Sequence, residues 1–175
     1  MNNKIRRFAA SAILVGLATA LSLIPVPLQL PFGGKITLFS MLVISLPAYL
    51  YGPRLGFISS LAFAFLMMMI DPYMVHPVQV ILDYIIAFGC FDIVAFFRNK
   101  KDGLIIGFII ACIIRFISHS ISGYVFFKDY APANWSALLY TVVYNGSFVF
   151  TECIFSVILL FVGSIRRTIE KYKEN

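Results

Sequence analysis

The sequence predicts an all-α integral membrane protein, a single bundle of six transmembrane helices with both termini cytoplasmic. Three observations carry that expectation. Of 175 residues, 61% are hydrophobic and only 13% charged, against roughly one-quarter charged in a soluble domain. The mean hydropathy is +0.91. The apolar residues also gather into runs near the roughly 20 residues that a helix needs to cross hydrocarbon. Residues 1–175 read as one domain with no room left for a soluble one.

The first run, 8–24, follows Lys4-Ile5-Arg6-Arg7. A basic start, an apolar stretch and Ala18-Thr19-Ala20 also imitate a secretory signal and its cleavage site. The run continues past Ala20, and cleavage would leave an odd number of spans, so a retained helix is expected. Ala12, Gly16 and Ala20 form one stripe along it. Small residues four apart let two helix backbones approach closely. They serve either packing within the bundle or docking of another membrane subunit, and both readings stand at this point. The second run, 36–51, is short and holds Pro47, which is expected to kink it. Tyr51-Gly52-Pro53-Arg54 makes a tight turn into the third, 55–70. The last three runs are 78–97, 104–125 and 136–162.

Basic residues set the orientation. Lys4, Arg6, Arg7, Arg54, Arg98, Lys100, Lys101, Arg166, Arg167, Lys171 and Lys173 fall on one side of such a bundle, and only Lys35 and Lys128 on the other. The basic side is cytoplasmic by the positive-inside rule. The same rule accounts for the net charge of +6 without a nucleic-acid partner.

Several chemistries lack their residues. Cys90, Cys112 and Cys153 all lie inside apolar runs and form no C-x-x-C pair, so they read as packing residues. Gly34-Lys35 partly matches a phosphate-binding loop, but Ile36 follows the lysine and the first glycine is missing. No metal-ligand cluster, H-E-x-x-H or G-x-S-x-G occurs. Neither ATP hydrolysis nor a metal site is expected of this chain.

Two ionisable residues stand inside apolar runs at matching depth: Asp83 in the fourth and His119 in the fifth. A charge at bilayer depth is costly, faces the bundle interior and marks a ligand or ion site. On the outer side they are joined by Tyr84, by Tyr140, Tyr144 and Asn145 of the sixth run, by Tyr73 before the fourth, and by Phe126, Phe127 and Trp135 after the fifth. Phe32-Gly33-Gly34-Lys35 adds a further outer loop. One carboxylate, one imidazole, one amide and several rings suit a small, flat organic cation. The carboxylate neutralises its charge in a low-dielectric pocket, aromatic faces attract it, and His and Asn fix a heteroaromatic edge. Tyr and Trp also gather at membrane interfaces, so the rings alone say less than Asp83 does.

Asp92, Arg115 and Glu152 lie deeper. Arg115 and His119, four apart, share one helix face. Asp92, nine residues from Asp83, is half a turn out of phase at 3.6 residues per turn. An ion pair of Arg115 with Glu152 or Asp92 is expected here, with a proton relay as the alternative.

These residues carry a resemblance. Pro31-Phe32-Gly33-Gly34-Lys35-Ile36-Thr37-Leu38-Phe39-Ser40-Met41, Tyr51-Gly52-Pro53-Arg54-Leu55-Gly56, Asp83-Tyr84, His119 with Gly123 four residues on, and Tyr140-x-x-x-x-Asn145-Gly146 occur in an order, spacing and depth similar to one family. The chain resembles the thiamine-specific substrate-binding (S) component of energy-coupling-factor (ECF) vitamin transporters, over essentially its whole length. The resemblance implies that Asp83, standing where the family has Glu, faces the cationic ring. It implies that His119, Tyr140 and Asn145 hold the aminopyrimidine and ring faces, and that Tyr73 and Tyr84 line the pocket. Phe127 stands where the family has Trp. The stripe Ala12, Gly16 and Ala20 would dock on a transmembrane coupling subunit driven by two cytoplasmic ATPases. Implied with this are thiamine as ligand, no cofactor, no covalent chemistry, and a multi-pass place in a bacterial cell membrane. The alternatives are a solitary proton-coupled vitamin carrier, with Asp83 or Asp92 as proton site, an S component for a related pyrimidine or other vitamin, and, more distantly, a membrane enzyme.

Overall fold

The computed structural model describes residues 3–24 and 36–173. The loop Phe32-Gly33-Gly34-Lys35, singled out above, lies outside the described residues. Helices are α1 (Asn3–Ser22), α2 (Ser40–Tyr51), α3 (Pro53–Ile70), α4 (Pro77–Phe97), α5 (Gly103–Phe126), α6 (Ala137–Phe161) and α7 (Gly163–Tyr172). All but α2 and α7 are long and apolar enough to cross a membrane. The α2 helix has 12 residues, about 18 Å at the helical rise per residue.

The α1 helix packs on α2 and α3, those two on each other and on the lower half of α4, and α5 on α4 and α6. Tyr49, Phe63, Phe91 and Phe108 are the largest fully buried side chains of this core. Gly52 ends α2 with φ 93°, a left-handed conformation that only glycine adopts without strain. Pro53 then starts α3 at a position where its missing N–H costs nothing. Starts of α4 and α6 are capped in sequence. His76 Nδ1 accepts the N–H of Val78 at 3.1 Å, and Ser136 Oγ that of Leu139 at 3.1 Å.

Both ends of the short α2 are satisfied from a distance instead. It begins at Ser40 rather than at 36, because Phe39 takes a left-handed turn (φ 61°) and caps nothing with its side chain. The Glu152 carboxyl of α6 fills that place. It accepts the Met41 N–H at 2.9 Å, the Ser40 hydroxyl at 3.0 Å and the Thr37 hydroxyl at 2.5 Å. At the other end, Arg98 donates to the carbonyls of Tyr49 (3.2 Å) and Leu50 (3.0 Å). An acid at the helix N-terminus and a base at its C-terminus both complement the helix dipole. The expected ion pair of Arg115 with Glu152 or Asp92 is therefore corrected. Glu152 is engaged at α2, while Asp92 Oδ1 and two guanidinium nitrogens of Arg115 are buried without hydrogen-bond partners. Glu152→Ala should destabilise the fold by about 1–3 kcal/mol, the cost of leaving buried donors unsatisfied. Thermal unfolding in detergent reads this, and an unchanged midpoint would show that α2 holds without its distant cap.

Two further expectations change. The fourth span is not a regular α-helix. A π-helical segment, Ile81–Ile86, and a 3-10 segment, Cys90–Phe97, occupy most of it. Within the π segment the Ser118 hydroxyl of α5 donates to the Leu82 carbonyl at 2.7 Å. The phase argument that separated Asp83 from Asp92 assumed 3.6 residues per turn and does not apply across these segments. Asp92 does face elsewhere, against Gly56 of α3. The residues after 162, beyond the last expected run, form α7. It is tied down by an Arg166–Asp102 ion pair and by the Tyr49 hydroxyl, which donates to Glu170 at 2.5 Å.

On α1 the buried residues are Ser11, Val15 and Ala18. Ala12, Gly16 and Ala20 all face outward, and nothing lies within 4 Å of where a side chain on Gly16 would begin. Among the described residues, nothing packs on the stripe at Gly16.

Candidate functional site

At the end of the bundle opposite the Gly52 turn, α4, α5 and α6 enclose a cavity of about 550 Å³. All eight residues picked out as ligand-binding line it: Tyr73, Asp83, Tyr84, His119, Phe127, Tyr140, Tyr144 and Asn145. Phe126 instead stacks on His76, with ring centroids 5.2 Å apart, and Trp135 is not among the lining residues.

Asp83 and His119 meet directly. Their side chains are 14% and 13% exposed, and His119 Nδ1 lies 2.8 Å from Asp83 Oδ1. The second carboxylate oxygen accepts from Gln79 Nε2 at 2.7 Å and from the Ser122 hydroxyl at 2.7 Å. An ionised carboxylate only accepts, so the imidazole proton on this side sits on Nδ1. That leaves Nε2 turned away from the pair, and it is buried without a partner. The shorter Asp, about 1.3–1.5 Å less in reach than Glu by one carbon–carbon step, is met by donors from two helices.

Asn145 is held by its own amide, which donates to the carbonyls of Thr141 (2.9 Å) and His119 (3.2 Å). This close join of α5 to α6 depends on Gly123. A Cβ there would stand 2.9 Å from Thr141 Cγ2 and 3.2 Å from Asn145 Nδ2. The spacing from His119 to Gly123 thus aligns the imidazole with the point where the helices touch.

Rings form the walls. Tyr140 stacks on Tyr144 with centroids 5.8 Å apart, and Phe148 stands edge-on to both Tyr144 (5.7 Å) and His119 (5.8 Å). Tyr73 lies 5.5 Å from Phe127 and shares a hydrogen bond of 3.3 Å with the Tyr130 hydroxyl. That bond, helped by burial, raises the Tyr73 phenol above its ordinary value. Tyr84 acts as a strut: its hydroxyl donates to the Asp71 carbonyl and accepts the Tyr73 N–H, both at 3.0 Å. Gln79 bonds the same loop through the Tyr73 carbonyl at 3.1 Å.

Sequence reasoning missed Gln79, Ser122, Thr141 and Phe148 in this lining or its support, and placed Arg115 elsewhere. Gln79 had a readable signal, since it precedes Asp83 by four residues on the same helix. Ser122 and Thr141 had none, being ordinary small polar residues of membrane helices. Chemically, the cavity offers one carboxylate for a cation, ring faces for a flat ligand, and unpaired donors and acceptors for a polar edge.

Residues 8–171 match the family model described as thiamine transporter protein (Thia_YuaJ). The chain belongs to this thiamine transporter family. Among its relatives, the thiamine transporter ThiT of Bacillus subtilis (strain 168) is 30% identical, with 79% of this chain and 81% of that protein covered. Among solved structures, ThiT from Listeria monocytogenes superposes with a TM-score of 0.73 at 25% identity, over 93% of this chain and 97% of that one. A structure described as the S component of a bacterial ECF transporter gives a TM-score of 0.65 at 26% identity, over 98% and 100%. The described residues form an all-helical arrangement that matches the fold of an ECF S component, and the family is one of multi-pass membrane proteins.

Proposed function

We infer that this chain takes up thiamine as the substrate-binding component of an ECF transporter. The observation that carries the reading is the cavity between α4, α5 and α6, in which the largely enclosed Asp83 carboxylate faces a ring-lined space. Thiamine has a cationic thiazolium ring, an uncharged aminopyrimidine ring and a size that about 550 Å³ accommodates. Asp83 offsets the positive ring. Tyr140, Tyr144, Phe127 and Tyr73 offer faces for cation–π contact and stacking. Asn145 orients α6 against His119, which bonds the pyrimidine. Membership in a transporter family fits transport and no covalent step.

The finer architecture belongs to the same proposal. With α2 as a sixth span, both termini are cytoplasmic and the cavity opens to the outside of a bacterial cell. The chain then hands thiamine to a transmembrane coupling subunit served by two cytoplasmic ATPases. The outward stripe of Ala12, Gly16 and Ala20 supports this, because close helix contact needs small side chains and all three are exposed among the described residues.

Purified protein in detergent and in sealed vesicles tests the reading. Calorimetry should show tight, saturable thiamine binding, while vesicles holding this chain alone should show no uptake, with or without a pH gradient. Uptake driven by the gradient alone would return the solitary carrier, and absence of thiamine binding would refute the ligand.

A further inference from the structure

Arg115 is the one fully charged side chain in the middle of α5, and it reaches the cavity floor one turn below His119. A guanidinium at bilayer depth requires compensation. Its visible contact is the Phe88 ring, with Cζ 4.3 Å from the centroid. That contact holds the guanidinium plane but takes up none of its N–H donors. Nε and Nη1 are buried with no acceptor, although Asp83 and Glu152 are both committed to other donors.

The other unpartnered nitrogen in this place is His119 Nε2. With the proton held on Nδ1 by Asp83, Nε2 of the neutral ring is an acceptor. Arg115 and His119 are four residues apart, on one face of α5. The cavity therefore carries fixed donors and a fixed acceptor side by side, both unused. Their complement is a ligand edge with an acceptor beside a donor, as in a ring nitrogen next to an exocyclic amine.

We propose that Arg115 is a specificity-determining residue, donating to a pyrimidine ring nitrogen while His119 Nε2 accepts from the neighbouring 4′-amino group. This assignment rests on thiamine being the ligand. It adds that the site rejects an otherwise identical compound whose 4′-amine is a carbonyl. In that compound the edge is reversed: a carbonyl oxygen meets the His119 acceptor and a ring N–H meets the Arg115 donors. A site whose buried polar groups are left unpaired by the wrong ligand discriminates strongly, by on the order of a hundredfold or more.

The experiment is calorimetric titration of the purified full chain with thiamine and with its 4′-oxo analogue, for the parent, Arg115→Met and Arg115→Lys. The parent should prefer thiamine by at least a hundredfold. Arg115→Met should weaken thiamine at least tenfold and narrow the preference by a similar factor, leaving the analogue little changed. Arg115→Lys, with one nitrogen in place of the fork, should fall between, and it carries the test if the Met variant does not fold. A preference unchanged in both variants, or thiamine and analogue weakened by the same factor, would overturn the assignment and leave Arg115 a structural cation. A parent that binds neither compound refutes the thiamine reading itself, and a parent that binds both equally refutes only the edge.

Discussion

Asp83→Asn is expected to weaken thiamine binding at least tenfold while the protein still folds. Asparagine keeps the size of the side chain and one oxygen that still accepts from Gln79 and Ser122, both at 2.7 Å from the carboxylate, while its NH2 group faces His119, whose ring takes the other tautomer and accepts there. What it loses is the charge. A cation moved into a ring-lined cavity then has no counter-charge there, and truncating one member of a buried pair costs ~2–5 kcal/mol. Arg115 makes the loss worse, since the cavity would carry a net positive charge before the ligand arrived. The comparison that isolates charge uses a neutral analogue in which an uncharged ring replaces the thiazolium. Its affinity should change far less than that of thiamine. Equal losses for both would mean that Asp83 only orients His119, and undiminished thiamine binding would remove it from the site.

The second large effect concerns transport and leaves binding alone. Gly16→Trp is expected to abolish thiamine uptake in cells and to leave the affinity of the detergent-purified protein unchanged. Gly16 lies on the outward face of α1 with open space beyond it, so an indole there meets none of the described residues. It would hold a partner helix away. Ala12→Trp, one turn earlier on the same stripe, should act alike. If uptake survives both substitutions, the stripe is not a docking surface. If binding is lost along with uptake, α1 communicates with the cavity in a way its packing does not suggest.

Much of this was legible from sequence, for identifiable reasons. Apolar runs locate membrane helices because hydrocarbon tolerates little else, and Asp83 and His119 stood out because charge at that depth is rare. Their shared depth gathered the eight residues that line one cavity, along with Phe126 and Trp135, which do not. What was hidden depended on contacts between distant elements. Glu152 went to α2 because Phe39 left that helix uncapped, a need invisible along the chain. Arg115 was assigned to the nearest carboxylates by charge alone, yet its donors remain free beside His119. The start of α2 was placed four residues early because Ile36 to Phe39 are as apolar as the helix that follows. The α7 helix lay beyond reach because its mixed charges form no apolar run, while Tyr49 and Asp102 anchor it.

The π-helical segment Ile81–Ile86 bears on how this chain is compared with others. A π turn closes one residue later than an α turn, so the segment Ile81–Ile86 holds more chain than its height requires, and the surplus sits at Asp83, while the 3-10 segment Cys90–Phe97 holds less. A chain that crosses the same distance as plain α-helix needs fewer residues there, and a gap in the alignment must fall inside this segment. Counting positions from Pro77 and counting back from Phe97 then give different answers for which residue faces the cavity. Equivalence to Asp83 is properly assigned by its partners, Gln79 on one side and His119 with Ser122 on the other, rather than by its number in the span.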